Sequence, residues 1–188
     1  MTYQTRRGAT ILVALLGLAA ANCSRRKTDD RANSPKSNAE TGAEACSLLT
    51  KEEIQAVQGE AFKDTRPSHK LASGLSVAQC YFELPTAANS VVLTVTRKAE
   101  GGSEPNQSWQ EIFHSERRSK RKEEGGEKEP QKIDGLGEEA FWTGTRIGGA
   151  LFVLKGNCYI RISVGGAGDQ AQKIEKSKTL AESVLKRL

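Results

Sequence analysis

The sequence predicts an α+β fold: a single domain with one mainly antiparallel sheet and helices packed on it. Three observations predict it. ALFVLK and CYIRISV flank Gly156-Asn157, a two-residue hairpin turn of the Gly-first type. Pairing Lys155 with Cys158 sets Val153 opposite Ile160 and Leu151 opposite Ile162, so the register from the turn agrees with the register from hydrophobicity. VAQCYFEL, Val77 to Leu84, alternates with a period of two. Asp169 to Leu188 carries an apolar helical face of Ile174, Ala181, Val184, Leu185 and Leu188 that would cover one face of a sheet.

The elements follow in order. Arg6 and Arg7 precede Ala9 to Ala21, an uncharged and mostly apolar run of thirteen residues, and Cys23 comes just after it. This is the layout of a bacterial secretory signal, so residues 1–22 read as a signal peptide. The run falls short of the roughly 20 apolar residues a membrane-spanning helix needs. Ala20-Ala21-Asn22-Cys23 resembles a lipobox, which implies an acylated Cys23 as the new N-terminus; Asn22 departs from the small residue usual there. The alternative is ordinary signal peptidase cleavage after Ala19-Ala20-Ala21. Residues 23–45 then read as a lipidated cysteine and a disordered tether, because Ser24 to Ala45 offers no Val, Ile, Leu, Phe, Tyr or Trp to bury. As a flexible coil it would span roughly 25 Å.

Residues 46–188 read as the folded domain. Thr50-Lys51-Glu52-Glu53 is a capping box, Ile54 and Val57 share one face, and Gly59 stands at the C-cap, giving a helix of about two turns. In the first strand Ala78, Cys80, Phe82 and Leu84 share a face, and Pro85 stops it. Val91, Leu93 and Val95 repeat the pattern. A second helix is expected to begin near Ser108, with Trp109, Ile112 and Phe113 as one stripe. Ser115 to Gly126 is charged all round and reads as a solvated helix end. Gly135 and Gly137 permit a tight or positive-φ backbone before a strand at Glu139 to Thr143.

Composition narrows the partners. Without residues 1–22 about 166 residues remain, one domain's worth. The whole chain has 28 basic and 23 acidic residues, and the leader removes two arginines, leaving 26 minus 23, or +3. Aromatics are 5%, so a stacking surface for single-stranded nucleic acid is not expected, and no nucleic-acid partner is assigned.

The cysteines are Cys23, Cys46, Cys80 and Cys158. Outside the cytoplasm they can pair. A Cys46–Cys80 bridge would pin the first helix to the sheet. Cys158 shares a strand face with Ile160 and Ile162 and reads as a buried thiol, with a pairing to Cys46 or Cys23 as the competitor. Ala45-Cys46-Ser47-Leu48-Leu49-Thr50 with Glu53 and Gly59, Cys80-Tyr81, and Gly135-Leu136-Gly137-Glu138-Glu139-Ala140-Phe141-Trp142 together resemble a family of uncharacterised bacterial envelope lipoprotein domains, with Glu138 in place of the usual Asp. The resemblance covers residues 45–188. It implies an envelope lipoprotein with a Cys46–Cys80 disulfide and an unpaired Cys158, and it brings no catalytic residues.

Motifs for chemistry are sparse. His69 and His114 have no second ligand at helical spacing, so no metal site is assigned. No nucleophile elbow, phosphate loop or zinc-protease motif occurs. Glu138 and Glu139 are adjacent and point apart in a strand, which suits no paired acid and base. Gly165-Gly166-Ala167-Gly168 precedes the last helix and reads as a loop in preference to an anion site. The expectation is therefore a non-enzymatic, cofactor-free protein anchored in the cell envelope by a lipid on Cys23, which binds an envelope protein, lipid or cell-wall partner. The alternative is a soluble periplasmic protein that binds a small ligand.

Overall fold

The computed structural model describes residues 38–115, 129–144 and 148–188. The export run, Cys23, the tether up to residue 37 and the whole basic run Arg117–Lys122 lie outside the described residues.

A seven-stranded antiparallel sheet forms the centre, in the order β1-β2-β3-β7-β6-β5-β4. Its strands are β1 (Asp64–Ala72), β2 (Leu75–Glu83), β3 (Val91–Lys98), β4 (Gln131–Lys132), β5 (Glu139–Gly144), β6 (Gly149–Lys155) and β7 (Cys158–Val164). Four helices pack against it: α1 (Asn38–Cys46), α2 (Lys51–Gln58), α3 (Pro105–Phe113) and α4 (Gln170–Leu185). The expected α+β class is the observed one. Among the described residues no helix is long and apolar enough to cross a membrane.

The β6–β7 hairpin has the register that the sequence predicts, with Leu151, Val153 and Lys155 opposite Ile162, Ile160 and Cys158. Alternation carries this register across the sheet. Cys80, Leu93, Ile162, Leu151 and Trp142 lie in one row, and Ala78, Val95, Ile160, Val153 and Ala140 in the next. These side chains make the inner face. They are buried with Ile54 of α2 and with Ile174, Leu180, Ala181 and Val184 of α4. The expected cap of α2 forms. Thr50 Oγ1 accepts from Glu53 N at 3.3 Å while Glu53 Oε2 accepts from Thr50 N at 2.9 Å. Asp169 and Gln172 make the same reciprocal pair at the start of α4. Arg187 then places its two guanidinium nitrogens on the two oxygens of Glu53, at 2.8 and 3.0 Å, and ties the C-terminus to α2.

Three expectations need correction. The tether does not run to Ala45, because Asn38–Cys46 is helical. α1 lies over β1 and β2, and a Cβ at Gly42 would stand 3.0 Å from the backbone of Ser68. Small residues let helix and strand backbones approach this closely; in the sequence they looked like a segment with nothing to bury. β1 was not expected at all. It is an edge strand, exposed along most of its length, with Pro67 in its middle and no apolar alternation. Backbone pairing to β2 makes it a strand. Finally, α3 begins at Pro105, three residues before Ser108, with proline at the first helical position where its missing N–H costs nothing.

Candidate functional site

Cys46 and Cys80 form a disulfide, with 5.0 Å between their Cα atoms. Cys80 is fully buried at the centre of the inner face, so the bridge fastens the end of α1 to the core. Cys158 is a free, buried thiol whose Sγ donates to Lys155 O at 3.3 Å. Burial raises its pKa above the usual thiol value, outweighing the opposing pull of Arg97 and Lys155. An inert thiol results.

Glu138 and Glu139 also part ways. Glu138 Oε1 accepts from Gly156 N at 2.6 Å and Glu138 N donates to Leu154 O at 2.9 Å, so this residue closes the β6–β7 turn. Gly137 just before it has φ +62, and a Cβ there would sit 2.5 Å from Leu154 O. Ala140 and Trp142 point into the inner core. The Gly135–Trp142 stretch is therefore a structural knot: two turns held against each other, then a strand feeding both faces of the sheet.

Glu139 points to the outer face, where α3 packs. Trp109, Phe113, Leu154 and Tyr159 are buried there, with Ile112, Phe141 and Phe152 against them. Phe113 and Phe141 stack at 4.7 Å between ring centroids, and Trp109 lies 4.4 Å from Phe113. Glu139 Oε2 accepts from Trp109 Nε1 at 2.6 Å and pairs with His114 Nε2 at 2.8 Å. Burial alone would raise the pKa of Glu139. The hydrogen bonds from Trp109 and His114, with the charges of His114 and Lys132, outweigh it and hold the carboxyl below its ordinary value. This is a clasp that seats α3.

Toward β2 and β3 the same face is half-buried and polar. Gln79, Thr94, Arg161 and Phe152 lie side by side on β2, β3, β7 and β6, with Tyr81, Val92 and Ser163 in the adjoining row. The Arg161 guanidinium lies over the Phe152 ring, 5.8 Å from its centroid, and Arg66 lies over Tyr81 at 5.9 Å. Arginine and aromatic side chains are the types enriched at binding hot spots in general.

The structure separates the two histidines. His69 Nε2 pairs with Ser76 Oγ at 2.9 Å, on the far side of the sheet from His114 and Glu139. Among the described residues no three His, Cys, Asp or Glu side chains converge on a point that could hold a metal ion. The loop at 165–168 packs on the 3₁₀ turn Ala87–Asn89: Gly165 N donates to Ser90 O at 3.0 Å and a Cβ on Gly165 would collide with Ala88 O at 2.1 Å. The hairpin register by itself sets Phe152 opposite Arg161 on the outer face, but it gave Arg161 no role, because a single arginine in a strand reads as ordinary solvent-facing alternation.

No family model, no curated protein and no solved structure matches the chain.

Proposed function

We propose that this chain is an exported cell-envelope protein, anchored by a lipid on Cys23, whose domain is a non-catalytic binding module for an envelope protein, lipid or cell-wall component. One observation carries the reading: the Arg6–Ala21 export layout ends at Cys23, and the domain downstream of it is closed by a Cys46–Cys80 disulfide. Disulfides persist in oxidising compartments and are rare in the cytosol, so the bridge and the leader point to the same side of the membrane. The half-buried outer sheet face supplies the surface for a partner, and the inner face is taken up by the core.

The test is fractionation of cells expressing the full chain, with intact mass of the product and a Cys23→Ala variant alongside. The reading expects a membrane-bound wild type carrying a lipid mass and a soluble variant. A wild type that is soluble with an unmodified N-terminus at Asn22 overturns the anchor. That outcome supports the second reading, a soluble periplasmic ligand-binding protein, which Asn22 in front of Cys23 favours. A protein retained whole in the cytoplasm overturns both.

A further inference from the structure

The outer face holds a charge that no described residue answers. Arg161 is half-buried at the middle of β7, yet among the described residues its guanidinium makes no hydrogen bond and no ion pair and lies over the Phe152 ring. Burial, unrelieved by any carboxylate, lowers its pKa from the usual value. A guanidinium has five donors in a rigid fork, and leaving them unused at a half-buried position costs free energy that a folded protein ordinarily recovers by pairing. The carboxylates that the sheet directs to this side are occupied elsewhere. Glu83 is held by Lys63 at 2.7 Å and by Arg66, and Glu139 by Trp109 and His114. Asp64 lies at the open edge of β1, where its Oδ1 accepts from Thr65 N.

The neighbours of Arg161 are suited to the same task. Thr94 is its Cα partner on β3, and Gln79 is the partner of Thr94 on β2. Adjacent strands lie roughly 4.8 Å apart, so hydroxyl, amide and guanidinium form one row within reach of a single small group. The side chains of Thr94 and Gln79 also have no hydrogen-bond partner among the described residues. Phe152 closes one end of the row, and Tyr81 and Val92 flank it with apolar surface. The row offers one positive charge and two neutral donors. That balances a single negative charge, since Arg66, which lies over Tyr81 on this side, is already paired with Glu83.

We infer that Arg161, Thr94 and Gln79 form a subsite for the carboxylate of a monoanionic ligand whose apolar or aromatic body lies along Phe152, Tyr81 and Val92. The carboxylate takes the guanidinium fork through both oxygens, the geometry in which arginine recognises it best. Thr94 Oγ1 and the Gln79 amide donate to the outward lone pairs. The inference rests on the reading of this domain as a binding module and is independent of the lipid on Cys23.

The experiment is a titration of the purified, ¹⁵N-labelled full chain in a neutral detergent, followed through the Nε–H resonance of Arg161. The probes are 3-phenylpropionate, its uncharged amide 3-phenylpropionamide, and inorganic phosphate. The expected result is a saturable shift with 3-phenylpropionate, about tenfold or more weaker for the amide and for phosphate. Read through the backbone amide resonances of β7, which wild type and variants share, Arg161→Gln is expected to weaken the carboxylate by at least about tenfold, and Arg161→Lys, which keeps the charge and loses the fork, to fall between. If Arg161→Gln does not fold, Arg161→Lys and Thr94→Val carry the comparison, read through the backbone resonances of β7. Equal binding of the amide, wild-type affinity in the arginine variants, tighter binding of phosphate, or no saturable shift each overturns the subsite. The fractionation and mass measurements do not involve Arg161, so such a result leaves the envelope reading to its own test.

Discussion

Removing the Cys46–Cys80 bridge is expected to cost about 4 kcal/mol of stability. The two cysteines are 34 residues apart in sequence, and closing a loop of that length removes entropy from the unfolded chain worth about 4 kcal/mol at 25 °C in the chain-entropy model. Domains of this size have total stabilities of roughly 5–15 kcal/mol, so the bridge accounts for a large share. Its position supports the full figure. Cys80 is fully buried, and α1, the helix it fastens, is short and poor in large apolar side chains, so little else holds that helix to the sheet. The assay is urea unfolding of the wild type with and without reductant, beside a Cys46→Ala, Cys80→Ala double variant. Reductant should lower the wild-type midpoint and steepen the slope, because the released chain exposes more surface. The double variant should match the reduced wild type to within about 1 kcal/mol, the contribution of the lost sulfur packing, and ignore reductant. A wild type whose midpoint does not move on reduction, or a double variant that still responds, would refute the reasoning. The second outcome would place a bridge at Cys158.

Three further outcomes follow from the same geometry. Glu139→Gln should lose about 1.5 kcal/mol at neutral pH, the scale of a hydrogen bond to a charged group; because the folded-state pKa of Glu139 lies below the ordinary 4.5, its contribution is present above that value and lost as pH falls through the folded-state pKa. Urea midpoints of the two proteins should therefore be separated above pH 4.5 and converge as the pH falls below it through the folded-state pKa, and a pH-independent gap would count against the clasp. Gly137→Ala should destabilise by more than about 2 kcal/mol, since the new Cβ meets Leu154 O at 2.5 Å on a left-handed backbone; thermal denaturation within about 0.5 kcal/mol of wild type would contradict the close approach. Cys158 should react with an aromatic disulfide reagent far more slowly in the native protein than in urea, and equal rates would mean that the thiol is not held in the sheet.

The legibility of each element tracked where its stabilising energy comes from. The β6–β7 hairpin was readable because turn chemistry and side-chain alternation lie within a few residues and specify one register together. The α2 capping box was readable because both of its hydrogen bonds close over three residues. α4 was readable through its apolar face, although Leu180, fully buried, was not among the residues that marked it. β1 left no pattern because an edge strand whose side chains are mostly exposed is held by backbone pairing, which any sequence can supply. The site behaved the same way. Trp109 and Phe113 showed as a helical stripe, but the stripe does not say that it faces Phe141 and Phe152, or that Glu139 meets Trp109 and His114.

By itself, the amino-acid sequence determined the class of fold, the register of the central hairpin, the caps of α2 and the layout of the first 23 residues. Each of these is a local matter, settled by hydrogen bonds and side-chain periodicity within one or two adjacent elements. Only the tertiary structure decided that Asn38–Cys46 is a helix, that Cys46 reaches Cys80 and leaves Cys158 free, and that the outer face carries a seated helix at one end and, in its middle, Arg161 with no ion pair among the described residues. Those facts depend on which surfaces meet across long stretches of chain. A close backbone approach or an unanswered charge exists only once the sheet has brought its strands side by side.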